Sequence, residues 1–140
     1  MRLIAQEKIY RIIDANANRA KEGLRVCEDV ARFILDDRKS SEGYKRLRHQ
    51  LEKSITSLPV SKKILIGARD IAGDVGTRSI SAELKRGTVK DIFFANSQRI
   101  KESIRVLEEF SKLMNTKAAQ SFKTARYKIY ALEKNIIKKL

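Results

Sequence analysis

The sequence predicts an all-α protein: a four-helix bundle of two helical hairpins, related by a pseudo-twofold axis, with a long functional loop between them. Three observations support this prediction. The 140 residues include one proline and six glycines, which is typical of a largely helical chain. Apolar residues recur with the period of an α-helix. An internal repeat joins residues 16–29 to residues 96–109, with seven of fourteen positions identical: Asn, Arg, Lys, Glu, Arg, Val and Glu.

The first hairpin is predicted to span residues 7–57. Its long helix, residues 7–36, carries apolar side chains on one face, at positions 9, 13, 20, 24, 27, 31 and 34. We expect Ser40 or Ser41 to cap the second helix, which runs over about 41–57. One such hairpin cannot bury its apolar stripe alone, so the repeat predicts two hairpins that pack together.

The second hairpin is predicted to span residues 88–139. Thr88 and Asp91 form a capping-box pattern at the start of its long helix. Thr116 follows the break at the end of this helix, and we expect it to cap the last helix, residues 117–139. Each half is therefore predicted to consist of one long and one shorter helix.

The central loop, residues 59–87, is far longer than a bundle connection needs, and long loops in compact domains are usually functional. Ile64–Ile66 is predicted to be a short extended piece, and Ser81–Arg86 a helical turn. Between them, residues 67–78 combine three glycines, two aspartates and two arginines. This composition favours a binding loop or a lid.

The composition limits the cellular compartment in which the protein is expected and the classes of partner that it can have. We expect a single helical domain over residues 1–140, because this length is typical of one domain. One cysteine excludes an internal disulfide and fits a cytoplasmic protein, and the first eight residues carry charges too early for a signal peptide. No apolar run approaches the ~20 residues that span a bilayer, so no membrane is expected as a partner. The oligomeric state is left open.

The net charge of +14 allows several interpretations. A lysine-rich solvated surface, as in heat-adapted proteins, accounts for much of it. Binding of small phosphorylated ligands or of nucleic acid is the sharper alternative. The arginines, which recur at matched places in the two halves, help to decide between these alternatives.

Two asparagines and four arginines recur at matched positions. Asn16 and Asn96 fall within the apolar stripes, where a buried amide needs hydrogen bonds. A structural register role is the alternative to ligand binding for each of them. The arginines lie at the edges of the stripes and could turn into a common cleft: Arg19, Arg99, Arg48 and Arg126. Because arginine binds phosphate through two parallel hydrogen bonds, this pattern predicts a phosphate site, unless nearby glutamates pair with the arginines.

Further candidate residues lie beside these positions. Asp70 and Asp74, in the glycine-bearing loop, could hold Mg²⁺ or could bond their own turns. His49 aligns with Tyr127 at an offset of 78 residues, so both could contact a ligand. We expect the outer charges of the long helices to pair on the solvated face: Arg25, Arg105, Glu28 and Glu108. The sequence has no P-loop, no Glu-x-x-His pair, no zinc-ligand set and no Gly-x-Ser-x-Gly elbow.

An ordered set of motifs runs through nearly the whole chain. It begins with Asp14-x-Asn16-x-x-Arg19-x-x-Glu22-x-Leu24-Arg25-x-x-Glu28-Asp29 and Leu47-Arg48-His49. It continues with Arg69-Asp70, Asp74-Val75-Gly76 and Ala95-Asn96-x-x-Arg99-x-x-Glu102-x-x-Arg105-Val-Leu-Glu108-Glu109. This set resembles the monofunctional hydroxymethylpyrimidine monophosphate kinases of bacterial thiamine biosynthesis, a small domain that occurs alone or fused ahead of thiamine phosphate synthase. Since the sequence stops at Leu140, the standalone form is expected.

The resemblance implies ATP-dependent phosphorylation of 4-amino-5-hydroxymethyl-2-methylpyrimidine phosphate to the diphosphate, with ATP and Mg²⁺ as cofactors. It also implies little activity on the unphosphorylated alcohol. A phosphate monoester has a second pKa of about 6 and is mostly dianionic at pH 7, so this acceptor needs no general base. The chemical difficulty is electrostatic, because two anionic phosphate chains must approach each other in line.

From these requirements of the reaction we assign a hypothetical role to each candidate residue. The phosphates would be clamped by Arg19, Arg99, Arg48 and Arg126. The metal and the charge of the transition state would be carried by Arg69, Asp70 and Asp74. The edge of the aminopyrimidine would be read by Asn16 or Asn96, with His49 and Tyr127 as further ligand contacts.

Two other classes of function compete with a kinase. A basic helical nucleic-acid-binding domain would gather its basic side chains on one exposed face, whereas this sequence spreads its lysines around the helices. A structural or adaptor bundle would carry no chemistry. We expect ATP with Mg²⁺ and the pyrimidine phosphate to stabilise a kinase by mass action, and oligonucleotides to stabilise it little.

Overall fold

Four long helices and two short ones make up the computed structural model, which describes residues 3–140, with the side chains of residues 6–81 and 83–140. The first two residues of the expected domain lie outside this range. The long helices are α1 (Leu3–Asp29), α2 (Arg38–Thr56), α5 (Val89–Ser111) and α6 (Thr116–Ile137). The short helices α3 (Lys62–Gly67) and α4 (Ser81–Leu84) lie in the central segment. Within the described residues every regular element is helical, which confirms the predicted all-α class.

The long helices form a closed four-helix bundle. Helix α1 packs against α2 and α5, and α6 packs against α5 and α2. Helices α1 and α5 are antiparallel, because Cys27 contacts the carbonyl of Phe93 while Gly23 lies against Ile100, later on α5. The pseudo-twofold relation predicted from the repeat therefore maps α1 onto α5 and α2 onto α6.

The core of the bundle is apolar and draws on all four long helices. Its largest fully buried side chains are Ile13, Leu24, Tyr44, Leu47, Leu51, Phe93, Ile100, Ile104, Leu107, Phe122, Ile129 and Ile136. They come from the stripes that the periodicity of the sequence marks out, as expected for amphipathic helices around one core. Burial raises the pKa of the Cys27 thiol to about 12, so this side chain is an inert core residue.

Helices α1 and α5 approach each other closely at Gly23. A Cβ atom at this position would lie 2.7 Å from Cγ1 of Ile100 and 3.1 Å from the carbonyl oxygen of Asn96. The twin position in the repeat is Ser103, which is buried. The repeat is therefore not followed at the point where the two long helices cross, because only glycine fits against the backbone of α5.

The ends of the helices correct two local predictions. Asp37, and not Ser40 or Ser41, caps α2: its side chain accepts the backbone N–H of Ser40 at 3.1 Å. Asn115, and not Thr116, caps α6. Both aspartate and asparagine are as suitable for this position as serine or threonine, so propensity could not choose between neighbours. The capping box of Thr88 and Asp91 is confirmed.

The other corrections concern residues 30–36 and 62–67. Helix α1 widens into a π-helical turn, Val30–Ile34, and turns toward α2 at Asp36, which has a φ of 50°. The segment predicted to be extended, Ile64–Ile66, lies inside α3, where Ser61 caps the helix. Leu65 is buried there, so packing against the bundle overrides the strand propensity of the isoleucines. No helix within residues 3–140 is long and apolar enough to cross a membrane.

In each half of the bundle, one buried ion pair joins the long helix to its shorter partner. Glu28 accepts hydrogen bonds from Nε and Nη2 of Arg48 at 3.3 and 3.2 Å, and Glu108 accepts them from Arg126 at 3.3 and 3.0 Å. The two glutamates are only 3% and 4% exposed. The prediction that they face solvent is therefore wrong, because a guanidinium from the neighbouring helix makes their burial possible.

Replacement of Gly23 by valine should lower the free energy of unfolding by about 2 kcal/mol, since the new methyl groups would overpack the α1/α5 contact. Urea denaturation measures this change. Ser103→Ala, at the twin position, is the control and should change stability by less than about 1 kcal/mol. Equal stability of the Gly23 variant and the wild type would contradict the close approach of these helices.

The contact between Asp37 and Lys139 predicts a pH-dependent contribution to stability. The hydrogen bond from Lys139 at 2.6 Å, with the N–H and side chain of Ser40, lowers the pKa of Asp37 to about 2. Asp37→Asn keeps the helix cap but loses the ion pair, which should cost up to about 1 kcal/mol at pH 7, since Lys139 is half exposed. A lowered carboxyl pKa stabilises the fold above pH 4, and this contribution is lost as the pH falls toward 2.

The measurement compares urea unfolding of wild type and Asp37→Asn at pH 7 and pH 2.5. The difference between the two proteins should shrink at pH 2.5. A difference that is the same at both pH values would show that the charge of Asp37 does not contribute.

Candidate functional site

The central segment folds back on α1, and the two line an open cavity of about 590 Å³, here called the loop cavity. Its charged and polar lining combines four basic side chains with three carboxylates and two amides: Lys8, Arg11, Arg19, Arg69, Asp14, Asp70, Asp74, Asn16 and Asn18. Five of these residues are candidates from the sequence: Asn16, Arg19, Arg69, Asp70 and Asp74. A basic cavity with several carboxylates suits a phosphorylated ligand that arrives with a divalent cation.

An ion pair between Asp14 and Arg69 holds the segment in place. Nε of Arg69 lies 2.5 Å from one carboxylate oxygen of Asp14, and Nη2 lies 2.9 Å from the other. This hydrogen bond to Asp14 raises the pKa of Arg69. A second, longer contact joins Nη2 of Arg11 to the carbonyl of Asp70 at 3.4 Å. The two contacts connect α1 to the start of the loop, and Nη1 of Arg69 remains outside the pairing with Asp14.

The amide of Asn16 is buried and partly used by its own helix. Its Nδ2 donates to the carbonyl of Ile12 at 2.9 Å, and its Oδ1 accepts a long bond of 3.5 Å from Arg19. Asn96 makes the same backbone bond, to Ile92 at 2.8 Å. Because α1 and α5 are antiparallel and Asn96 lies opposite Gly23, Asn16 is about 10 Å away along the bundle. Asn16 lines the loop cavity, whereas Asn96 does not.

Asp70 and Asp74 each bond the backbone of their own loop. Asp70 accepts the N–H of Gly73 at 2.8 Å, and Asp74 accepts the N–H of Gly76 at 2.9 Å. These bonds fix the turns and leave one oxygen of each carboxylate outside them. Among the described residues, no group of three or more acidic, histidine or cysteine side chains could hold a metal ion. Two carboxylates match the protein share of a Mg²⁺ site that phosphates and water complete.

A second and more enclosed cavity adjoins the loop cavity, and we call it the inner cavity. It measures about 270 Å³ and lies between α1, α2 and α3. The two cavities share Asp14, Asn18 and Arg69 in their common wall. The remaining lining of the inner cavity combines five apolar side chains with five polar or charged ones: Ala17, Ile55, Val60, Leu65, Ile66, Lys21, Glu52, Thr56, Ser61 and Lys62. The site is therefore a pair of adjacent hollows, one charged and one of mixed lining.

The four arginines do not ring a single hollow, so the predicted common cleft is wrong in its geometry. Arg48 is paired with Glu28 in the α1/α2 cleft, and Arg126 is paired with Glu108 in the α5/α6 cleft. Because α1 and α5 pack side by side, these clefts open on opposite sides of the bundle. The repeat therefore builds two separate clefts, of about 990 and 490 Å³.

The remaining candidates from the sequence lie outside the loop cavity. His49 lines the α1/α2 cleft beside Arg48. Tyr127 is exposed, and its ring centre lies 5.3 Å from the guanidinium carbon of Arg126. Arg99 is exposed on α5, at the twin position of Arg19, and is not among the residues that line either cavity.

Several residues of the site received no role from the sequence. The most important is Asp14, which is 8% exposed and binds Arg69; Lys8, Arg11 and Asn18 accompany it. A signal was present, because the twin of Asp14 in the second half is Phe94 and the twin of Arg11 is Asp91. Departures from the repeat therefore mark the half that carries the site, although two matched residues, Asn16 and Arg19, also line it.

Comparisons with known proteins support the part of the resemblance that concerns thiamine biosynthesis and a domain related to the one fused to thiamine phosphate synthase. The profile of the ThiD2 family matches residues 11–135. The thiamine-phosphate synthase of Nostoc punctiforme is 41% identical over 133 residues, which cover 94% of this chain and 36% of that protein. The thiamine-phosphate synthase of Synechocystis is 42% identical over 130 residues, which cover 92% of this chain and 36% of that protein.

The thiamine-phosphate synthase of Rhodopirellula baltica is more distant, at 40% identity over 124 residues, covering 88% of this chain and 32% of that protein. The chain thus spans about a third of the length of the curated relatives it matches. No solved structure is a significant match. Because the family profile covers nearly the whole sequence, the chain belongs to the ThiD2 family.

Proposed function

We propose that this protein transfers the γ-phosphoryl group of ATP to 4-amino-5-hydroxymethyl-2-methylpyrimidine phosphate, giving the diphosphate used in thiamine biosynthesis. Membership of the ThiD2 family and relatives named thiamine-phosphate synthase support a place in that pathway. The observation that carries the proposal is the loop cavity, where Arg19, Arg69, Asp70 and Asp74 meet beside a smaller hollow. A kinase with a phosphorylated acceptor needs a charged cavity of this kind, where the phosphates of ATP and of the acceptor can lie side by side.

The chain's first task in this reaction is to bring two anions together. The acceptor oxygen belongs to a phosphate monoester and is already ionised at pH 7, so no proton has to be removed from it. Lys8, Arg11 and Arg19 line the loop cavity and would offset the repulsion between the two phosphate chains. Arg69 is held rigidly by Asp14, and its free Nη1 could donate to a phosphate oxygen without a loss of side-chain entropy.

Mg²⁺ fits the carboxylates of the loop. When bound, it would neutralise charge on the phosphates of ATP, and Asp70 and Asp74 would hold it. Both side chains lie in the loop cavity and each has one oxygen that is not used by the turn. With only two such groups, affinity for the metal would depend on the nucleotide that brings it.

The same cavity accounts for the expected preference for the phosphorylated acceptor. The free alcohol carries no anion for Arg19 and Arg11 to hold, and its hydroxyl would need a general base. Each carboxylate in the cavity already accepts a hydrogen bond: Asp14 from Arg69, and Asp70 and Asp74 from loop N–H groups. Asp14 is engaged by Arg69, and Asp70 and Asp74 are assigned to Mg²⁺, so none of the three is left to act as that base.

A phosphotransfer assay tests the proposal directly. With ATP and Mg²⁺, the pyrimidine monophosphate should be converted to the diphosphate, and the free alcohol should react at least ~100-fold more slowly, since it lacks the anion that orients the acceptor. Equal rates on both acceptors would contradict the argument for a phosphate handle. No turnover on either acceptor would contradict the proposed function itself.

Replacement of Arg19 by alanine should lower kcat about 100-fold or more, because a cation next to the transferring phosphoryl group is lost. Thermal denaturation should show an intact fold, since Arg19 is exposed. Arg99→Ala is the matched control: Arg99 has the same place in the repeat but lies outside both cavities, so turnover should change only a few fold. A fall in kcat for Arg99→Ala as large as that for Arg19→Ala would contradict the assignment to the loop cavity.

A further inference from the structure

The transfer of a phosphoryl group does not by itself explain the size and the lining of the inner cavity. We propose that it is the subsite for the ring of an aminopyrimidine acceptor, and that Asn18 is the side chain that reads the amino edge of this ring. The inference rests on the proposed function, because it names the part of the acceptor that the inner cavity holds.

The size of the inner cavity favours a single substituted ring. Sites for drug-sized ligands measure roughly 300–1,000 Å³, and the inner cavity, at about 270 Å³, lies just below this range. A nucleoside triphosphate is therefore too large for it, whereas a six-membered ring with small substituents fits. The loop cavity, at about 590 Å³, is the larger of the two adjacent hollows.

The walls of the inner cavity suit a flat apolar ring. Ala17 and Ile55 are buried and form the side of the bundle, and Leu65, which is 4% exposed, forms the side of α3. Helix α3 thus acts as the cover of the cavity, and Ile66, which is 45% exposed, lies at its outer edge. Burial of a ring between such side chains is favourable because apolar surface is removed from water.

Asn18 offers the polar pattern that an aminopyrimidine needs. Such a ring presents an exocyclic amino group, which donates, beside a ring nitrogen, which accepts. An asparagine amide presents the complementary acceptor and donor, as it does when it binds the amino group and N7 of adenine. Within the described residues, the hydrogen bond that this amide makes is a long one, from Nδ2 to the carboxylate of Asp14 at 3.4 Å. A ligand could therefore replace it at little cost.

The shared wall directs the acceptor's phosphate toward the loop cavity. On the side of α2, Glu52 contacts Lys21 at 3.2 Å and Lys62 at 3.5 Å, so that side carries one net positive charge. On the other side, Arg69 stands in the wall that both cavities share. A ring beside Asn18 would thus have its phosphate next to Arg69, in the hollow that also contains Arg19.

The second half of the repeat lacks this arrangement. The twin of Asp14 is Phe94 and the twin of Asn18 is Gln98, which lines the α5/α6 cleft. Helix α3 packs on α1 and so covers only the first half. One subsite per chain follows, and Gln98 provides a matched control residue for Asn18.

The test compares Asn18→Leu with Gln98→Leu in the full chain. Asn18→Leu should raise KM for the pyrimidine monophosphate at least ~10-fold and leave KM for ATP within about threefold, because only the ring contact is lost. Gln98→Leu should change neither constant. Ile66→Trp, at the outer edge of α3, is a second variant that narrows the cavity from the exposed side and should also raise KM for the pyrimidine alone.

A binding measurement keeps the test independent of turnover. The pyrimidine monophosphate without ATP should raise the Tm of the wild type and of Gln98→Leu, but not of Asn18→Leu or Ile66→Trp, whose Tm without ligand reports an intact fold. This result would support the subsite even if the wild type proved inactive, which would contradict only the proposed function. Unchanged KM and Tm shifts in both cavity variants, a rise in KM for ATP as large as that for the pyrimidine, or no Tm shift in the wild type would overturn the subsite.

Discussion

The ion pair between Asp14 and Arg69 is the interaction on which the candidate site depends. Asp14 is nearly buried on α1, where a lone carboxylate would be unfavourable, and the guanidinium of Arg69 compensates it with two hydrogen bonds. The same pair fastens the central segment to the bundle. Helix α3 therefore covers the inner cavity, and the loop with Asp70 and Asp74 borders the loop cavity. Both cavities have this pair in their common wall. One contact thus fixes the position of the loop, gives the carboxylate of Asp14 a partner and forms the boundary between the two hollows.

The duplication supplies a symmetric scaffold, and the central segment makes the site asymmetric. Each half repeats the buried pair of a glutamate on the long helix with an arginine on the shorter one, Glu28 with Arg48 and Glu108 with Arg126. These pairs hold the helices together, and they engage two of the four arginines that recur at matched positions in the two halves. The charged hollow forms where the two halves differ, because only α1 carries an aspartate that can receive Arg69. A pseudo-symmetric bundle can in this way carry a single site.

The sequence by itself determined the helical architecture. Apolar periodicity, the near absence of proline and the matched segments gave the four long helices, their pairing into hairpins and most of the core, since an amphipathic helix has few ways to bury its stripe. The capping box of Thr88 and Asp91 was equally legible, because its geometry is local. The motifs also named Asn16, Arg19, Arg69, Asp70 and Asp74, which meet in the loop cavity. Local patterns and the resemblance were sufficient for these features.

Only the tertiary structure decided which polar side chains share a space. A helical wheel places Arg48 and Arg19 at the edges of two apolar stripes. It cannot show that Arg48 forms an ion pair with Glu28 or that Arg19 lines the loop cavity. The antiparallel register of α1 and α5 separates Asn16 from Asn96, although the repeat makes them equivalent. The role of Asp14 depends on a partner 55 residues away. Contacts between distant segments depend on the path of the central segment, and no local pattern in a chain encodes that path.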